Sequence, residues 1–336
     1  MNNKKLKNRL LMLSDYVLRK TTLRSFPVEI SIGITSHCNS NCFMCPREEI
    51  KKHLGFMDFK LFKKIINEAK DYVELVYLHF DGEPLMHPQF FEMVKYCKDN
   101  GVTAGISTNA VLLDADRAQK LIDSGLDYLI ISIDAASPET YKKVKGTDDY
   151  KRVVGNVKNY LILKKKAEKG PYTALQLIYL KENKEEAGQF KRLWKPYKAD
   201  TLRIKPVLTF AGDVDLKNQD LAYSSNPCVY LWRQLSIHWD GVVTCIEMCR
   251  KMPLGNIKDK SLKEIWNSKT LVSLRKFHLR GDKNKMSICK NCNVPGLNLP
   301  IMLAGTIMND FSFKKNLIRY EKLSLFVNSM LKKQNK

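Results

Sequence analysis

HCNSNCFMC, residues 37–45, sets Cys38, Cys42 and Cys45 in a C-x3-C-x2-C spacing. A structural zinc takes four protein ligands, and so does a closed electron-carrier iron–sulfur cluster. Three thiolates in one short loop leave a soft-metal site one ligand short. The stretch just before it, VEISIGIT (28–35), is β-branched, short and ended by polar residues, which predicts a strand. The cysteines therefore fall in the loop after the first strand.

Downstream, strands and helices alternate. FKLFKKIINEAK (59–70), PQFFEMVKYCKDN (88–100), DADRAQKLIDSG (114–125) and EEAGQFKRLWKPY (185–197) carry helical apolar spacing, with further helix from 138 to 143 and from about 149 to 168. VELVYLHF (73–80), VTAGIST (102–108), DYLIISID (127–134), YTALQLIYL (172–180) and TLRIKPV (201–207) read as strands. The strands look like nearly continuous apolar runs, the pattern of a sheet covered on both faces. Six such βα units predict an α/β fold, a partial (β/α)6 TIM-like barrel over residues 28–206. An open doubly wound sheet is the alternative. Both put their chemistry at the C-terminal ends of the strands, where the three cysteines lie.

Residues 1–27 read as a basic N-terminal helix. After residue 207 the alternation stops, and residues 207–297 form a small cysteine-rich domain with short strand-like pieces (LSIHW, GVVTCI) and a helix, SLKEIWNSKTLVSLRKF. Residues 298–336 read as a basic C-terminal helix or tail. With 336 residues, 44% of them hydrophobic, the chain can bury a core without staples. Its nine cysteines cluster near residue 40 and between 228 and 292, with Cys97 alone, which favours metal over disulfides. No secretory signal and no run of roughly 18 apolar residues is present, so a cytoplasmic protein is expected. The net charge of +22 serves solubility or an anionic partner, such as a nucleotide-sugar or, through the basic termini, weak contact with a membrane surface. The lysines are spread along the chain without aromatic interleaving, which argues against nucleic acid.

The C-x3-C-x2-C loop after the first strand of a β/α barrel resembles the radical S-adenosylmethionine (SAM) superfamily. The resemblance implies a [4Fe–4S] cluster on Cys38, Cys42 and Cys45, whose fourth iron binds the amino and carboxylate groups of SAM. It further implies reductive cleavage of SAM and hydrogen abstraction from substrate by the 5′-deoxyadenosyl radical. An aromatic often precedes the third cysteine in this family. Here Met44 stands there, soft enough to pack against the adenine. In DGEPLMHP (81–88), Gly82-Glu83-Pro84 resembles the family's Gly-Gly-Glu-Pro turn, with Asp81 replacing the first glycine. Either Glu83 or backbone carbonyls could accept the SAM amino group there. Asn109 and Ser132, at the ends of the third and fourth strands, resemble positions that bond SAM, although strand-end turn chemistry also explains them. Lys145-Gly146 falls where many relatives carry Arg-Gly. A solvated lysine is expected, with anion binding the alternative.

Cys228, Gly241, Cys245, the Leu-Gly-Asn step, the Trp-containing helix and Cys289-x2-Cys292 resemble the SPASM/twitch auxiliary domains downstream of radical SAM barrels. Cys228, Cys245, Cys289 and Cys292 would close one auxiliary [4Fe–4S] cluster. Two auxiliary clusters would need about seven or eight cysteines. Cys249 is left over, and a zinc ribbon suits the same spacing. With only 27 residues ahead of the first strand, no peptide-recognition domain is expected there. That favours oxidation or epimerisation of a small, anionic substrate: a sugar, aminocyclitol or nucleotide-sugar. A peptide- or protein-modifying maturase is the alternative, and a zinc-containing nucleic-acid-binding protein the alternative from another class. The resemblance implies a low-potential electron donor of flavodoxin or ferredoxin type. Cys97 reads as a small buried packing residue; His79 and His87 flank the Gly-Glu-Pro loop and could face the site, with packing or solvent the expectation. Asp240, Glu247, Arg203 and Lys205 could face substrate, and no catalytic acid or base is nominated.

Overall fold

The structure, a computed structural model, describes residues 3–209, 214, 216, 219, 227–245 and 250–293. Glu247, Cys249 and the segment 298–336 lie outside them. The elements run α1 (Asn3–Val17), β1 (Glu29–Ile32), α2 (Arg47–Lys51), α3 (Phe59–Ala69), β2 (Leu75–Tyr77), α4 (Phe90–Asp99), β3 (Thr103–Thr108), α5 (Ala115–Asp123), β4 (Tyr128–Ser132), α6 (Pro138–Lys145), α7 (Tyr150–Ala167), β5 (Tyr172–Tyr179), α8 (Ala187–Trp194) and β6 (Thr201–Pro206). Then follow α9 (Tyr230–Arg233), β7 (Gln234–Ile237), β8 (Val242–Thr244), β9 (Gly255–Asn256), α10 (Leu262–Trp266), α11 (Lys269–Leu279) and α12 (Ser287–Lys290).

Strands β1 to β6 lie side by side in chain order, all parallel. A doubly wound sheet would reverse its order at a switch point. Here nothing reverses, so every right-handed crossover lays its helix on the same face, and the sheet curls around the other. Charge reports the curl. Four strand spacings would put β6 about 19 Å from β2 in a flat sheet. Yet Lys205 and Arg203 on β6 help to hold down the pKa of His79, just past β2.

The strands are not continuously apolar; they alternate. Ile30, Ile32, Ile34, Val76, Leu78, Ile106, Leu129, Ile131, Leu175 and Leu177 share one core with Phe62 and Ile65 of α3, Phe90 of α4, Leu121 of α5, Val157 of α7 and Phe190 of α8. Full burial of each such side chain contributes about 1.5–3 kcal/mol. The alternate residues point to the inner face: Ser31, Gly33, Tyr77, His79, Gly105, Ser107, Tyr128, Ser132, Gln176 and Arg203, with the apolar Ile130, Ala174 and Ile178 among them. The shared core lies on the helical side. The inner side is largely polar, and Gly33 and Gly105 thin its wall. This alternation is legible in EISIGI itself.

The cysteine-rich segment is not a separate appendage. Strand β7 pairs parallel to the free edge of β1, Glu29 opposite Gln234 and Ile32 opposite Ile237, and β8 and β9 continue antiparallel, so one sheet holds nine strands. Gln234 Nε2 donates to Ser31 Oγ across the junction (2.9 Å). The helix expected over 261–277 is two helices. Ser261 opens α10 with a reciprocal capping box to Glu264, and Ser268 caps α11. Between them Asn267 is held off helical geometry by bonding both backbone groups of Leu23 (2.9 Å each).

Helix α1 is more than a basic surface helix. Its Asn8 is buried, accepts from Phe26 N (2.7 Å) and donates to the carbonyls of Phe26 (3.0 Å) and Tyr72 (3.3 Å). Buried Asp15 accepts from the amides of Arg24 and Ser25 (2.9 Å each), and Arg9 pairs with Glu74. Among the described residues no helix is long and apolar enough to cross a membrane. Asn8→Ala strands buried backbone groups and should cost about 2–4 kcal/mol, read as a lower urea midpoint. Lys4→Ala, which removes an exposed pair with Asp71, should leave that midpoint nearly where it is.

Candidate active site

The cysteine loop is gripped from two sides. On one side lies Gly82, in the turn after β2. A Cβ there would sit 2.4 Å from the carbonyl oxygen of His37 and 2.7 Å from that of Thr35, so no other residue fits against the loop's entry. Glu83 N donates to the same His37 carbonyl (2.9 Å). On the other side is the C-terminus of α6. Its orphan carbonyls accept from the loop: Lys145 O from Asn41 N (3.0 Å) and Val144 O from Phe43 N (3.3 Å). Gly146 ends the helix at φ 70°, with Asn41 O only 2.5 Å from where a Cβ would be.

Glu83 is buried and fully engaged. Its Oε1 accepts from Thr108 Oγ1 (2.7 Å) and Leu85 N (3.2 Å), and its Oε2 from Asn109 N (2.8 Å). Burial raises its pKa, opposed by those hydrogen bonds. Asn109 extends the lattice. Its Nδ2 donates to Asn39 Oδ1 (2.7 Å) and Ser40 Oγ (3.0 Å) and lies 3.9 Å from Cys38 Sγ. Pro84 opens the single 3₁₀ turn that presents Glu83. The structure thus brings Gly82, Glu83, Pro84 and Asn109 together around the cysteine loop.

Cys38, Cys42 and Cys45 are unbridged and partly buried. Burial raises Cys38 to about 11, with Glu83 adding to the rise. Burial also pushes up Cys42 and Cys45. All three are pulled the other way by Arg47, a buried guanidinium whose Nη1 reaches the Asp81 carbonyl (3.3 Å) while its Nε has no partner among the described residues. Thiolates here need positive charge held among them. The thiols feel one another's charge: Cys42 adds to the rise of Cys38, and both add to that of Cys45.

Ser132 sits in a second polar group. Its Oγ donates to Asp134 Oδ2 (2.6 Å), which also binds Lys145 Nζ (2.5 Å). Lys145 is not solvated: it is 3% exposed. Burial alone would lower its pKa, but Asp134 and the neighbouring Cys42 carry it upward. Asp134 adopts a left-handed φ of 62°, a strained conformation held by Ile178 N (2.7 Å) on Oδ1 and by Asn183 on its carbonyl (2.8 Å). Met44 lies in an apolar cluster with Val144, Leu180, Val207 and Leu216, against Cys42.

Asp81, the departure from the glycine pattern, has a partner from far along the chain. Its carboxylate hydrogen-bonds His238 Nδ1 at 2.5 Å, both side chains buried. His238 Nε2 lies 3.4 Å from Thr244 Oγ1, next to Cys245. Neither Arg47 nor His238 stood out in the sequence. A basic residue two positions past the last cysteine was the available signal for the first; a buried partner for a lone Asp81 was the signal for the second.

Around the second cysteine set, burial raises Cys228 to about 12, and Cys292 and Cys289 add to it. Cys245 is buried in the main core, against which Cys228 and Cys289 pack. His278, also unforeseen, accepts from Cys228 N at Nδ1 (3.2 Å) and meets Cys289 Sγ at Nε2 (3.3 Å). Burial, helped by Lys283, lowers it to about 4. Asp240 forms a two-pronged pair with Arg250 (2.9 and 3.1 Å), so its carboxylate is engaged away from substrate. His87 bonds Met57 O (3.0 Å), and Cys97 is a buried core residue, both as packing residues do. Inside the curl, His79 is lowered to about 3 by burial first, then by Lys205 and Arg203.

Residues 32–193 match the Radical SAM superfamily, and residues 228–293 match the SPASM iron-sulfur cluster-binding domain. Among curated proteins, the chain is 25% identical over 303 residues to the tungsten-containing aldehyde ferredoxin oxidoreductase cofactor-modifying protein of Pyrococcus furiosus, covering 73% of this chain and 82% of that one. It is 24% identical over 282 residues to the S-adenosyl-L-methionine-dependent 2-deoxy-scyllo-inosamine dehydrogenase of Niallia circulans (79% and 92%). Among solved structures, BtrN in complex with AdoMet and 2-DOIA superposes with a TM-score of 0.55 at 20% identity (80% and 94%). Streptococcus suis SuiB bound to precursor peptide SuiA superposes with 0.64 at 16% (86% and 75%).

Gly82→Ala tests the grip on the cysteine loop. The added methyl meets backbone, which cannot swing aside, so the loop must move. The expected outcome is a folded protein, by circular dichroism, that binds markedly less iron than the wild type.

Proposed function

Because the chain belongs to the radical SAM superfamily and carries a SPASM-type iron–sulfur domain, we propose that it oxidises a small substrate by hydrogen-atom abstraction, from the class of sugars, aminocyclitols and nucleotide-sugars, an anionic member such as a nucleotide-sugar fitting best. The observation that carries the substrate reading is the inner wall of the curled sheet. There Arg203 and Lys205 of β6 face His79 across the interior, among Tyr77, Ser107 and Gln176. Two cations beside a histidine that burial, with their help, keeps neutral suit a carboxylate or phosphate. The likeness to a dehydrogenase over most of both chains supports oxidation.

In this reading Cys38, Cys42 and Cys45 hold three irons of a [4Fe–4S] cluster, and SAM completes the fourth. When bound, the pair supplies the 5′-deoxyadenosyl radical. Arg47 offsets the thiolate charge. Glu83 and Asn109 act by fixing the loop, because the Glu83 oxygens already take three donors. The backbone carbonyls of the Asp81–Gly82 turn are then left to accept the SAM amino group. Ser132 lies at the rim, where Lys145 and Asp134 hold its hydroxyl, and Met44 closes the apolar side. Cys228, Cys245, Cys289 and Cys292 hold one auxiliary [4Fe–4S] cluster. A flavodoxin- or ferredoxin-type donor supplies the low-potential electron.

Protein purified without oxygen should be brown and hold about eight irons. With SAM and reductant it should release 5′-deoxyadenosine, and Cys42→Ala should release none. Cys289→Ala should still cleave SAM but form no product. A colourless protein with stoichiometric zinc would sink the reading.

The substrate class has its own measurement. In a screen of sugars, aminocyclitols, nucleotide-sugars and peptides, consumption of an anionic small molecule is expected. Arg203→Met with Lys205→Met should raise its KM roughly tenfold or more, the worth of a charged hydrogen bond, while SAM cleavage without substrate stays unchanged. Consumption of peptides alone would replace this reading with a maturase.

A further inference from the structure

His278 stands between two of the auxiliary cysteines, and its two nitrogens do different work. It occupies the last turn of α11 and is 6% exposed. The Cys228 amide reaches Nδ1 at 3.2 Å. A backbone N–H can only donate, so Nδ1 is the acceptor and the ring's proton sits on Nε2. Nε2 lies 3.3 Å from Cys289 Sγ. A thiolate bound to iron has no proton to give, so this bond runs one way, from Nε2–H to sulfur.

We propose that His278 is a positioning and tuning residue that donates a hydrogen bond to the Cys289 thiolate and thereby raises the reduction potential of the auxiliary cluster. The inference rests on the reading that Cys228, Cys245, Cys289 and Cys292 bind that cluster. Hydrogen bonds to the sulfurs are among the terms that set such potentials, because they stabilise the added negative charge of the reduced form. The direction suits the oxidation proposed above. One hydrogen atom leaves the substrate for the adenosyl group; the remaining electron passes to the auxiliary cluster and the remaining proton to water. A higher potential makes the cluster the better sink. The same ring also ties the backbone of Cys228 to the sulfur of Cys289, so one side chain fixes two ligands that are distant in sequence.

The test uses the full chain with both clusters loaded. Redox titration followed by electron paramagnetic resonance should give separate midpoints for the two clusters. His278→Phe keeps the ring volume without the donor. Its auxiliary midpoint should fall, while the midpoint of the cluster at Cys38, Cys42 and Cys45 stays. His278→Gln places an amide N–H near the same point and should restore most of the shift. In the wild type, hyperfine spectroscopy of the reduced auxiliary cluster should detect an exchangeable proton, lost in deuterated water and in His278→Phe. An unchanged auxiliary midpoint in His278→Phe with iron intact would overturn the proposal, and so would the lack of that proton in the wild type. Should His278→Phe lose the auxiliary iron, His278→Gln decides: retained iron with the proton supports the bond, and retained iron without it refutes it. Failure of the cluster reading itself looks different, because Cys289→Ala would then leave iron content and spectra unchanged.

Discussion

The Glu83 carboxylate is the point on which the site depends. It is buried, and burial makes its charge costly unless both oxygens are hydrogen-bonded. Thr108 and Leu85 serve Oε1 and Asn109 serves Oε2. Its backbone binds the carbonyl of His37, at the entry to the cysteine loop. One residue therefore joins the ends of β1, β2 and β3, and Asn109 carries the connection on to Asn39, Ser40 and Cys38. The close approach of Gly82 to the same loop works only because Glu83 pulls in that direction. The loop itself has no regular structure before α2. Its three sulfurs are ordered by what surrounds them, namely this lattice and the α6 carbonyls opposite. Buried polar networks of this kind are rigid when fully satisfied, and this one is satisfied at each oxygen of the carboxylate.

The exchange of glycine for Asp81 follows from the other end of the chain. The Asp81 carboxylate adds to the rise of Cys45. Paired with His238, it ties the turn after β2 to the β7–β8 hairpin. That hairpin extends the sheet from β1, and Cys245 follows its second strand directly. Backbone pairing and this buried polar pair are thus two of the constraints that hold the cysteine-rich segment to the barrel. Cys245 therefore takes its placement from the same strand, β1, that the loop of the first three cysteines follows.

Much of this was legible from local pattern. The six βα units, the cysteine loop after β1 and the turn at 82–84 announce themselves within short windows, because alternation, helical spacing and turn chemistry are local properties. What was illegible depends on partners far apart in sequence. Asp81 and His238 are 157 residues apart. LSIHW is too short to signal that it would complete the edge of β1. Lys145 reads as one lysine among many, and only Asp134, held in a strained conformation, explains its burial. The inner polar face is a different case: EISIGI spells it out, and the apolar content of the strands obscured a period of two. His278 left no local trace, since its meaning lies in the amide of one cysteine and the sulfur of another.

The distribution of charge separates the cations that face water from those with a task. Most of the basic excess is spread over the surface. Lys145 is buried beside Cys42, but Asp134 already cancels it, so as a pair they orient the end of α6 more than they supply net charge. Arg47 differs. Its one hydrogen bond among the described residues goes to a backbone carbonyl, and its Nε has none, so its charge is left uncompensated where all three thiols feel it. A buried cation left in that state is costly in the absence of negative charge and favourable in its presence. The site therefore favours an anionic occupant, and an iron–sulfur cluster on Cys38, Cys42 and Cys45, as proposed above, would meet that requirement.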